Sequence, residues 1–426
     1  MKFTSHMENS LHIVRADELD ITSAAQYMQR ERPSHTEVLA QKGAILFRGF
    51  DLKDAEAFAE FGRDLITTWM PYRDRASKRS VVCGPILTST DTPASYPIAL
   101  HSESSFAYEW PRKILFFCRL PPGGGGRTPI ADTRKIYADI DLEVRDKFER
   151  LGVMYYRNFY AGVGMNWREV FQIDDPGDLD RYCASAGIQT EWLDQEHLRT
   201  VQARSAVSNH PSTGEKLWFN HALALSQYSL DAKLRSTLLR QVGPEGVPHN
   251  TFFGDGSPIS EAEYDVIRQA HARNTIWFDW APGDVLLLDN MLMTHGREPY
   301  TGEREIYAAL ADPLCWPDIG QTVELPVGVP SFDAKTSEQQ TPPLGGQAAE
   351  ADIDAWLISA LNNELGLAIE DLTDGFIDCG GDSVMAVELL DLAISEFGVE
   401  FDLDEFLEAE TLAKFAQAYA FNLQRG

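Results

Sequence analysis

A stretch with the composition of a linker divides this chain into two parts of unequal length. Residues 318–349 are rich in Pro, Gly, Gln, Ser and Thr and show little sustained hydrophobic periodicity, which is typical of an extended connecting segment. At 426 residues, the chain is also longer than one domain usually is. We therefore predict a large domain over residues 1–317, a flexible linker over 318–349 and a small domain over 350–426.

Negative charge is concentrated in the small domain. The formal charge of the chain is −28, and residues 350–426 contribute −16 of it, because they contain 18 Asp and Glu against Lys414 and Arg425. Such a surface repels nucleic acids and anionic membranes. We therefore expect neither as a partner and expect small molecules or basic proteins instead.

The cysteines and the apolar runs bear on the cellular compartment. The five cysteines are scattered without the spacing of metal sites, as in proteins that keep free thiols. The first ten residues are too polar for a signal peptide, and no apolar run is long enough to span a bilayer. These features indicate a cytoplasmic protein.

The small domain has the hydrophobic pattern of a helical bundle. Residues 352–366, 383–398 and 411–423 each place apolar residues at helical spacing. The second segment begins within "FIDCGGDSVMAVELL", residues 376–390, in which Ser383 follows two glycines and an aspartate. One interpretation is helix punctuation, with the aspartate or the serine as the N-cap. The other is that Ser383 is displayed for modification.

This stretch resembles the attachment motif of the carrier domains of peptide and polyketide synthetases. The motif consists of an apolar pair, a glycine pair, Asp-Ser and an aliphatic helix, and the resemblance extends over about residues 350–423. It implies a small all-α, four-helix-type domain in which Ser383 carries 4′-phosphopantetheine, whose thiol holds an acyl or aminoacyl thioester. It also implies a phosphopantetheinyl transferase and the adenylation or synthetase enzymes that load the carrier as partners. A phosphodiester at a helix N-terminus is electrostatically favourable.

The large domain mixes strands and helices. Residues 42–50 and 283–296 have the pattern of strands with turns, and residues 54–66 and 231–243 have the pattern of amphipathic helices. Regular alternation of strand and helix is missing from the pattern. A mixed α/β fold with a sheet core under helical cover is therefore favoured over a doubly wound sheet.

Two separated motifs in the large domain indicate a metal site. His101 and Glu103 lie two residues apart, so on a strand both side chains would point to one face. His295 follows an apolar strand pattern, and Arg304 comes nine residues later. A His-x-Glu pair by itself is also compatible with a surface pair. With a distal histidine, however, it forms the set of two imidazoles and one carboxylate that holds non-haem Fe(II) and leaves positions open for a cosubstrate and O₂.

The large domain resembles the taurine dioxygenase and clavaminate synthase-like family of Fe(II)/2-oxoglutarate oxygenases. The motifs that carry the resemblance run in the family's order: "GAILFRGF" at 43–50, "HSESSF" at 101–106, "GGGGRTPIADTRKIYADI" at 123–140 and "HGREPYTGEREI" at 295–306. The resemblance implies a double-stranded β-helix (jelly-roll) core. It further implies that His101, Glu103 and His295 bind Fe(II).

The same resemblance assigns two residues to the cosubstrate. Arg304 would pair with the distal carboxylate of 2-oxoglutarate, since a planar guanidinium suits bidentate carboxylate recognition. Thr128 would hydrogen-bond the same carboxylate. Arg297 is the alternative to Arg304, and a turn residue is the alternative interpretation of Thr128. His210 and His221, which lie outside these motifs, are interpreted as ordinary polar or core histidines.

Two details of the resemblance bear on the substrate. The carboxylate ligand is Glu103, as in the clavaminate synthase and asparagine hydroxylase branch, whose members oxidise amino acids. The presence of Glu103 also argues against the halogenating relatives, in which a small residue replaces the carboxylate. Ala308 stands where taurine dioxygenase has an arginine for the sulfonate, which argues against a free sulfonate. Hydroxylation is the default outcome, with desaturation or cyclisation as alternatives.

The sequence therefore predicts an Fe(II)/2-oxoglutarate-dependent dioxygenase that hydroxylates a carrier-tethered aminoacyl or acyl group in nonribosomal peptide or polyketide biosynthesis. Two alternatives remain open. In the first alternative, the chain is a carrier and docking protein whose oxygenase fold is a scaffold. In the second, the enzyme oxidises a free amino acid and the carrier is used in another step.

Overall fold

The structure, a computed structural model, covers most of both predicted domains. The described residues are 2–8, 11–17, 21–160, 165–230, 232–321, 330, 353–367, 369–376, 378, 379, 381, 383–397, 401, 406 and 409–423. The predicted linker falls largely outside these ranges, so its extended conformation stays a prediction.

The strands of the described residues all lie before residue 316. They are β1 (Lys2–Glu8), β2 (Leu11–Asp17), β3 (Ala44–Arg48), β4 (Val81–Cys83), β5 (Ile86–Thr88), β6 (Ile98–His101), β7 (Glu109–Leu120), β8 (Gly124–Gly125), β9 (Ile130–Asp132), β10 (Val153–Phe159), β11 (Gln189–Trp192), β12 (Leu198–Arg204), β13 (Val207–Asn209), β14 (Lys216–Trp218), β15 (His249–Phe253), β16 (Thr275–Ile276), β17 (Val285–Asp289), β18 (Met293–Arg297), β19 (Tyr300–Thr301) and β20 (Glu305–Cys315).

The helices occur in both parts of the chain. They are α1 (Ile21–Lys42), α2 (Ala55–Arg63), α3 (Thr133–Asp139), α4 (Leu142–Leu151), α5 (Trp167–Phe171), α6 (Pro176–Ser185), α7 (Ala232–Gly246), α8 (Glu261–Arg273), α9 (Ile353–Ser359), α10 (Ser383–Phe397) and α11 (Leu412–Leu423), with 3₁₀ turns at Gln227–Ser229 and Trp316–Ile319 and a π-helical continuation of α9 at Ala360–Glu364.

The largest sheet runs in the order β1-β2-β3-β17-β7-β20-β5-β4 in the described part of the chain. Its central strands are continuous apolar runs rather than alternating ones, because both faces of the sheet are buried. On one face Phe117 stacks on Phe58 of α2, with ring centroids 5.2 Å apart. On the other face the neighbouring Phe116 joins a separate core that reaches the second sheet. The predicted sheet core with helical cover is confirmed.

The second sheet carries the metal motif. Its order is β16-β9-β18-β6, and Ile130 of β9 and Met293 of β18 pack into the same core as Phe116 of the large sheet. A third sheet, β11-β12-β10-β15, lies beside them. Two facing sheets around one apolar core are the jelly-roll architecture that the sequence predicted.

The small domain is helical, as predicted. The helices α9, α10 and α11 share one apolar core, in which Leu357, Leu390 and Tyr419 are buried. Phe376 lies under the turn that precedes α10 and contacts Phe406, with ring centroids 4.6 Å apart. In the part of the chain that the structure describes, no helix is both long and apolar enough to cross a membrane.

Candidate metal centre

The two predicted histidine ligands lie directly opposite each other on paired strands. His101 ends β6, and His295 lies in the middle of β18, and the two residues are partners in the antiparallel register. Their ring centroids are 4.5 Å apart. Residues directly opposite on an antiparallel pair have side chains on the same face. Strand pairing therefore brings together two residues that are 194 positions apart in the sequence.

Glu103 reaches the same place from a turn and not from the strand that the sequence predicted. β6 ends at His101, and the following Ser104 has a left-handed backbone, with φ of 53°. Asn290 holds this turn, because its side-chain oxygen accepts the Glu103 backbone N–H at 2.7 Å and its amide donates to the Glu103 carbonyl at 2.9 Å. These two hydrogen bonds fix the Glu103 backbone and thereby orient its carboxylate.

The donor atoms of the three residues converge. One donor atom each of His101, Glu103 and His295 lies within 4.8 Å of the others, and Glu103 Oε2 is 3.9 Å from His101 Nε2 and 3.7 Å from His295 Nε2. His101 Nδ1 lies 2.8 Å from the Ala99 carbonyl, which favours the tautomer with the Nε2 lone pair facing the carboxylate. Two imidazoles and a carboxylate are the donor set of a non-haem Fe(II) site, so these residues fit that ion.

Burial sets the protonation of this cluster. Glu103 and His295 are buried, whereas the His101 side chain is 12% exposed and marks the more open side. Burial, reinforced by the neighbouring His101, lowers the pKa of His295, so its imidazole is neutral and can bind a metal. Burial alone would raise the pKa of Glu103, but Arg79 and the two imidazoles outweigh it and hold that pKa below its ordinary value.

Arg79 is a functional residue that the sequence reasoning missed. Its Nη2 donates to Glu103 Oε2 at 2.6 Å, and both side chains are almost fully buried. Its guanidinium also lies over the Tyr72 ring, 4.7 Å from the centroid. Arg79 stands 22 residues before the motif in the polar stretch "SKRS", where nothing distinguishes it from a surface cation. Asn290 could have been noticed in the sequence, because the polar pair Asp289-Asn290 stands between two apolar runs.

The two histidines outside the motifs have different surroundings. His210 Nε2 lies 3.1 Å from Asp289 Oδ2 in the core. His221 lies against the cluster, with its ring centroid 5.0 Å from that of His101. Burial and the neighbouring His101 lower the pKa of His221 to about 3, so it is neutral. It is not one of the three converging residues, and its Nδ1 lies 3.1 Å from the Ser102 carbonyl.

Arg304 and Arg297 differ in the hydrogen-bond partners of their guanidinium groups. Arg297 is buried and donates to the carbonyls of Thr92, Pro93 and Tyr96. Arg304 donates to the Gly126 carbonyl at 3.2 Å and the Ser89 hydroxyl at 3.4 Å, and forms no ion pair with a described carboxylate. Burial, with Arg297 nearby, lowers the pKa of Arg304 to about 10, so it keeps its charge. Arg304 thus makes fewer hydrogen bonds than Arg297, and neither pairs with a described carboxylate.

Thr128 is buried close to the segment that Arg304 touches. Its hydroxyl oxygen accepts the indole N–H of Trp280 at 3.0 Å, so the hydroxyl hydrogen remains available to a further acceptor. The glycine run before it is closely packed, since a Cβ on Gly125 would lie 2.4 Å from the Pro299 carbonyl oxygen. The Trp280 indole therefore fixes the Thr128 hydroxyl, and the glycine run before it leaves no room for a side chain at Gly125.

Ser383 is the first residue of α10. Before it, the Gly381 N–H donates to the Phe376 carbonyl at 3.0 Å, and a Cβ on Gly381 would lie 2.5 Å from the Phe376 ring. A glycine is required there because the buried Phe376 occupies the space of any side chain. The serine thus follows a tightly packed turn at a helix N-terminus, where an attached phosphate is favourable.

The chain matches two family models and resembles several known proteins. The family model "Taurine catabolism dioxygenase TauD, TfdA family" matches residues 5–310, and the model "Phosphopantetheine attachment site" matches residues 355–419. The chain is 37% identical over 278 residues to the dapdiamide synthesis protein DdaC of Enterobacter agglomerans, covering 65% of this chain and 84% of DdaC. It is 28% identical over 284 residues to a clavaminate synthase-like protein of Arabidopsis thaliana, covering 64% and 82%. A taurine dioxygenase structure from Burkholderia xenovorans aligns with a TM-score of 0.42 at 15% identity, covering 76% and 96%.

Proposed function

Because the chain belongs to the TauD/TfdA dioxygenase family and continues into a phosphopantetheine attachment domain, we propose that it hydroxylates an aminoacyl or acyl group held as a thioester on Ser383. The chain is a non-haem Fe(II)/2-oxoglutarate-dependent dioxygenase with a carrier domain. Our proposal is that its substrate is the group tethered to that domain. The observation that carries the proposal is the union of a three-donor cluster and an attachment domain in one chain.

The residues of the cluster fit the first half of the proposal. His101, Glu103 and His295 would hold the iron, which, with 2-oxoglutarate and O₂ bound, supplies the oxidising chemistry. Arg79 keeps Glu103 ionised and fixes one of its oxygens. Glu103 also fills the place that a small residue has in the halogenating relatives, which favours hydroxylation over halogenation.

Arg304 and Thr128 would bind the distal carboxylate of 2-oxoglutarate. Arg304 brings a half-buried cation without a described carboxylate partner, and Thr128 keeps a hydroxyl hydrogen to donate. A charge-assisted pair with an added hydrogen bond suits a carboxylate at a buried site. In the overall reaction one oxygen atom of O₂ enters the substrate C–H bond, and the other enters succinate as CO₂ leaves 2-oxoglutarate.

The carrier domain supports covalent delivery of the substrate. Ser383 begins a helix, as a phosphopantetheine attachment site requires, and a phosphopantetheinyl transferase and loading enzymes must act on it. A tether raises the effective concentration of the substrate at the iron site. The relative DdaC is named for the synthesis of dapdiamide, which is consistent with a role in the biosynthesis of a natural product.

Intact-protein mass spectrometry tests the proposal. Ser383 is modified with phosphopantetheine thioesters of a panel of aminoacyl and acyl groups, and Fe(II) and 2-oxoglutarate are added without oxygen before air is admitted. We expect one loaded species to gain the mass of one oxygen, while a loss of two hydrogens would indicate desaturation or ring closure. His101→Ala, which can be loaded but lacks an iron ligand, should show no change. Oxidation of a free amino acid with every loaded species unchanged would overturn the proposal.

A further inference from the structure

One side chain of the oxygenase is buried in the core of the carrier domain. Leu238 of α7 is 6% exposed, and the other fully buried members of its apolar cluster, among the described residues, all lie between 353 and 419. Val242, one helical turn later, packs at the edge of the same cluster, as do Leu230 and Tyr160. The oxygenase thus offers the carrier a small apolar face, the α7 face, formed by Leu230, Leu238, Val242 and Tyr160.

The carrier element that meets this face is the helix that Ser383 begins. α10 lies directly against α7, and its buried residues Met385 and Leu389 belong to the cluster that contains Leu238. The helix with the attachment serine is therefore oriented by the oxygenase as well as by its own domain.

Charge favours the same contact. α7 contains Lys233, Arg235 and Arg240 against Glu245, a net positive charge in a chain whose net charge is −28, and Arg235 is paired with Glu261 at 3.4 Å. The carrier domain that packs on them has a net charge of −16. A basic helix in an acidic protein is complementary to an acidic domain, and such complementarity fixes orientation more than affinity.

The end of α7, beyond a non-helical break at Gly243 with φ of 68°, is hydrogen-bonded to the strand beside the metal centre. The C-terminal end of α7 accepts hydrogen bonds from three side chains of the β10 segment: Tyr156 and Asn158 donate to the Glu245 carbonyl and Tyr160 to the Gly246 carbonyl, each at 2.8 Å. In the same strand the Tyr155 hydroxyl accepts the His221 backbone N–H at 2.9 Å. His221 in turn contacts His101.

We infer that the α7 face is the docking site for the carrier domain of the same chain and that substrate delivery occurs in cis. The inference rests on the proposed function and specifies its partner: apolar contacts of Leu238 and Val242 position α10, and the net positive charge of residues 232–242 is complementary to the acidic domain. The tether then keeps the thioester close to one iron site instead of sharing it among molecules.

A mixing experiment separates delivery within one chain from delivery between chains. Loaded His101→Ala protein, which carries the substrate but cannot oxidise it, is mixed with unmodified wild-type protein, which has an iron site but no arm. We expect oxidation in the mixture to be about a hundredfold or more slower at micromolar protein than in loaded wild type, because the tether supplies millimolar effective concentration. Equal rates in the mixture and in loaded wild type would overturn cis delivery.

A pair of neighbouring substitutions tests the surface. Leu238→Glu places a charge in the shared cluster, whereas Leu239→Glu makes the same change at the next residue, which lies outside that cluster. We expect Leu238→Glu to slow oxidation of the tethered group by about tenfold or more and Leu239→Glu to leave it unchanged. Hydrogen exchange should become faster in both α7 and α10 only in Leu238→Glu, and bound iron shows that the oxygenase is folded.

The outcomes distinguish this inference from the proposed function. If loaded wild type oxidises nothing, the proposed function fails, whatever the two variants do. If loaded wild type oxidises its tethered group and both variants match it in rate and exchange, the docking site is wrong while the proposed function stands. Should Leu238→Glu fail to fold, the mixing experiment alone decides between cis and trans delivery.

Discussion

The oxygenase region and the carrier region bury different kinds of side chain. Around the candidate metal centre, charged and polar groups such as Glu103, Arg79 and Arg157 are almost fully buried, and each is paired. Among the described residues from 353 onwards, none of the buried side chains is charged, and the core is aliphatic and aromatic. All ten histidines also precede residue 296.

This difference follows from where each region obtains its chemistry. An oxygenase must hold its donor atoms in a fixed arrangement, and buried polar groups are costly unless they are paired. A carrier obtains its reactive thiol by modification, so its fold only has to present a serine on a stable helix. We therefore expect substitutions to affect metal chemistry in the first region and presentation in the second.

The largest effect is expected from removing a metal ligand. His101→Ala should lose bound iron and lower 2-oxoglutarate consumption by at least about a hundredfold, since even partners outside the ligand set change affinity or activity by about 10–100-fold. Phosphopantetheine attachment to Ser383 should be unchanged, which mass spectrometry checks alongside iron analysis. Loss of attachment in the same variant would contradict the separation of the two regions.

The buried partner of Glu103 should matter next. Arg79→Met removes the cation that keeps this carboxylate ionised and oriented, and we expect iron affinity to fall by about 10–100-fold. The adjacent Lys78 is exposed, so Lys78→Met removes an equal charge without this contact and serves as the control. Titration with Fe(II) without oxygen measures both. Equal affinities would mean that Arg79 contributes only packing.

A glycine in the attachment motif tests the carrier side. Gly381→Ala forces a Cβ against the Phe376 ring, and we expect it to destabilise the carrier helices by about 1–3 kcal/mol, as overpacking usually does. Urea unfolding followed by helical circular dichroism measures this, with iron binding unaffected. Phe376→Leu in the same chain should relieve part of the clash, so the double variant should be less destabilised than the sum of the single ones.

The most gradual effect is the pH dependence of stability in the iron-free protein. Burial lowers the pKa of His271 to about 4, below its unfolded value of about 6.5. The unfolded chain therefore takes up the proton first, and the stability from neutral His271 is full above pH 6.5 and falls as the pH drops towards 4. We expect the free energy of unfolding to decrease by at most about 1.4 kcal/mol per pH unit in this window for this residue.

His271→Leu supplies the control for that slope. In this variant the pH dependence of the oxygenase transition should be shallower by about one proton. The carrier helices should show no histidine contribution, since residues 350–426 contain none. An unchanged slope in His271→Leu would show that the buried imidazole does not titrate on unfolding.

The sequence located much of the metal centre. His101, Glu103 and His295 were chosen from their motifs, and the structure brings all three together. The two candidate arginines differ in their hydrogen bonds, because Arg297 donates to three backbone carbonyls and Arg304 to one carbonyl and one hydroxyl. Their assigned roles, like that of Thr128, remain predictions.

Other parts of the site were beyond sequence reasoning. Glu103 was expected on a strand, but β6 ends two residues earlier, and the turn is held by Asn290 from a distant part of the chain. Arg79 carries no local signal, because a buried cation and a surface cation look alike in a sequence. His221 was interpreted as an ordinary histidine, and its contact with His101 emerged only from the packing of the third sheet.

Residue types and their spacing determined by themselves that this chain has an apolar mixed-sheet region, an acidic helical region and the donor atoms of an iron site. These features are local or periodic, so a one-dimensional pattern records them. Only the tertiary structure decided which donors face each other, which charges are buried and paired, and that α7 packs against α10. Such contacts join residues far apart in sequence, and their energies depend on burial, which no single stretch of residues encodes.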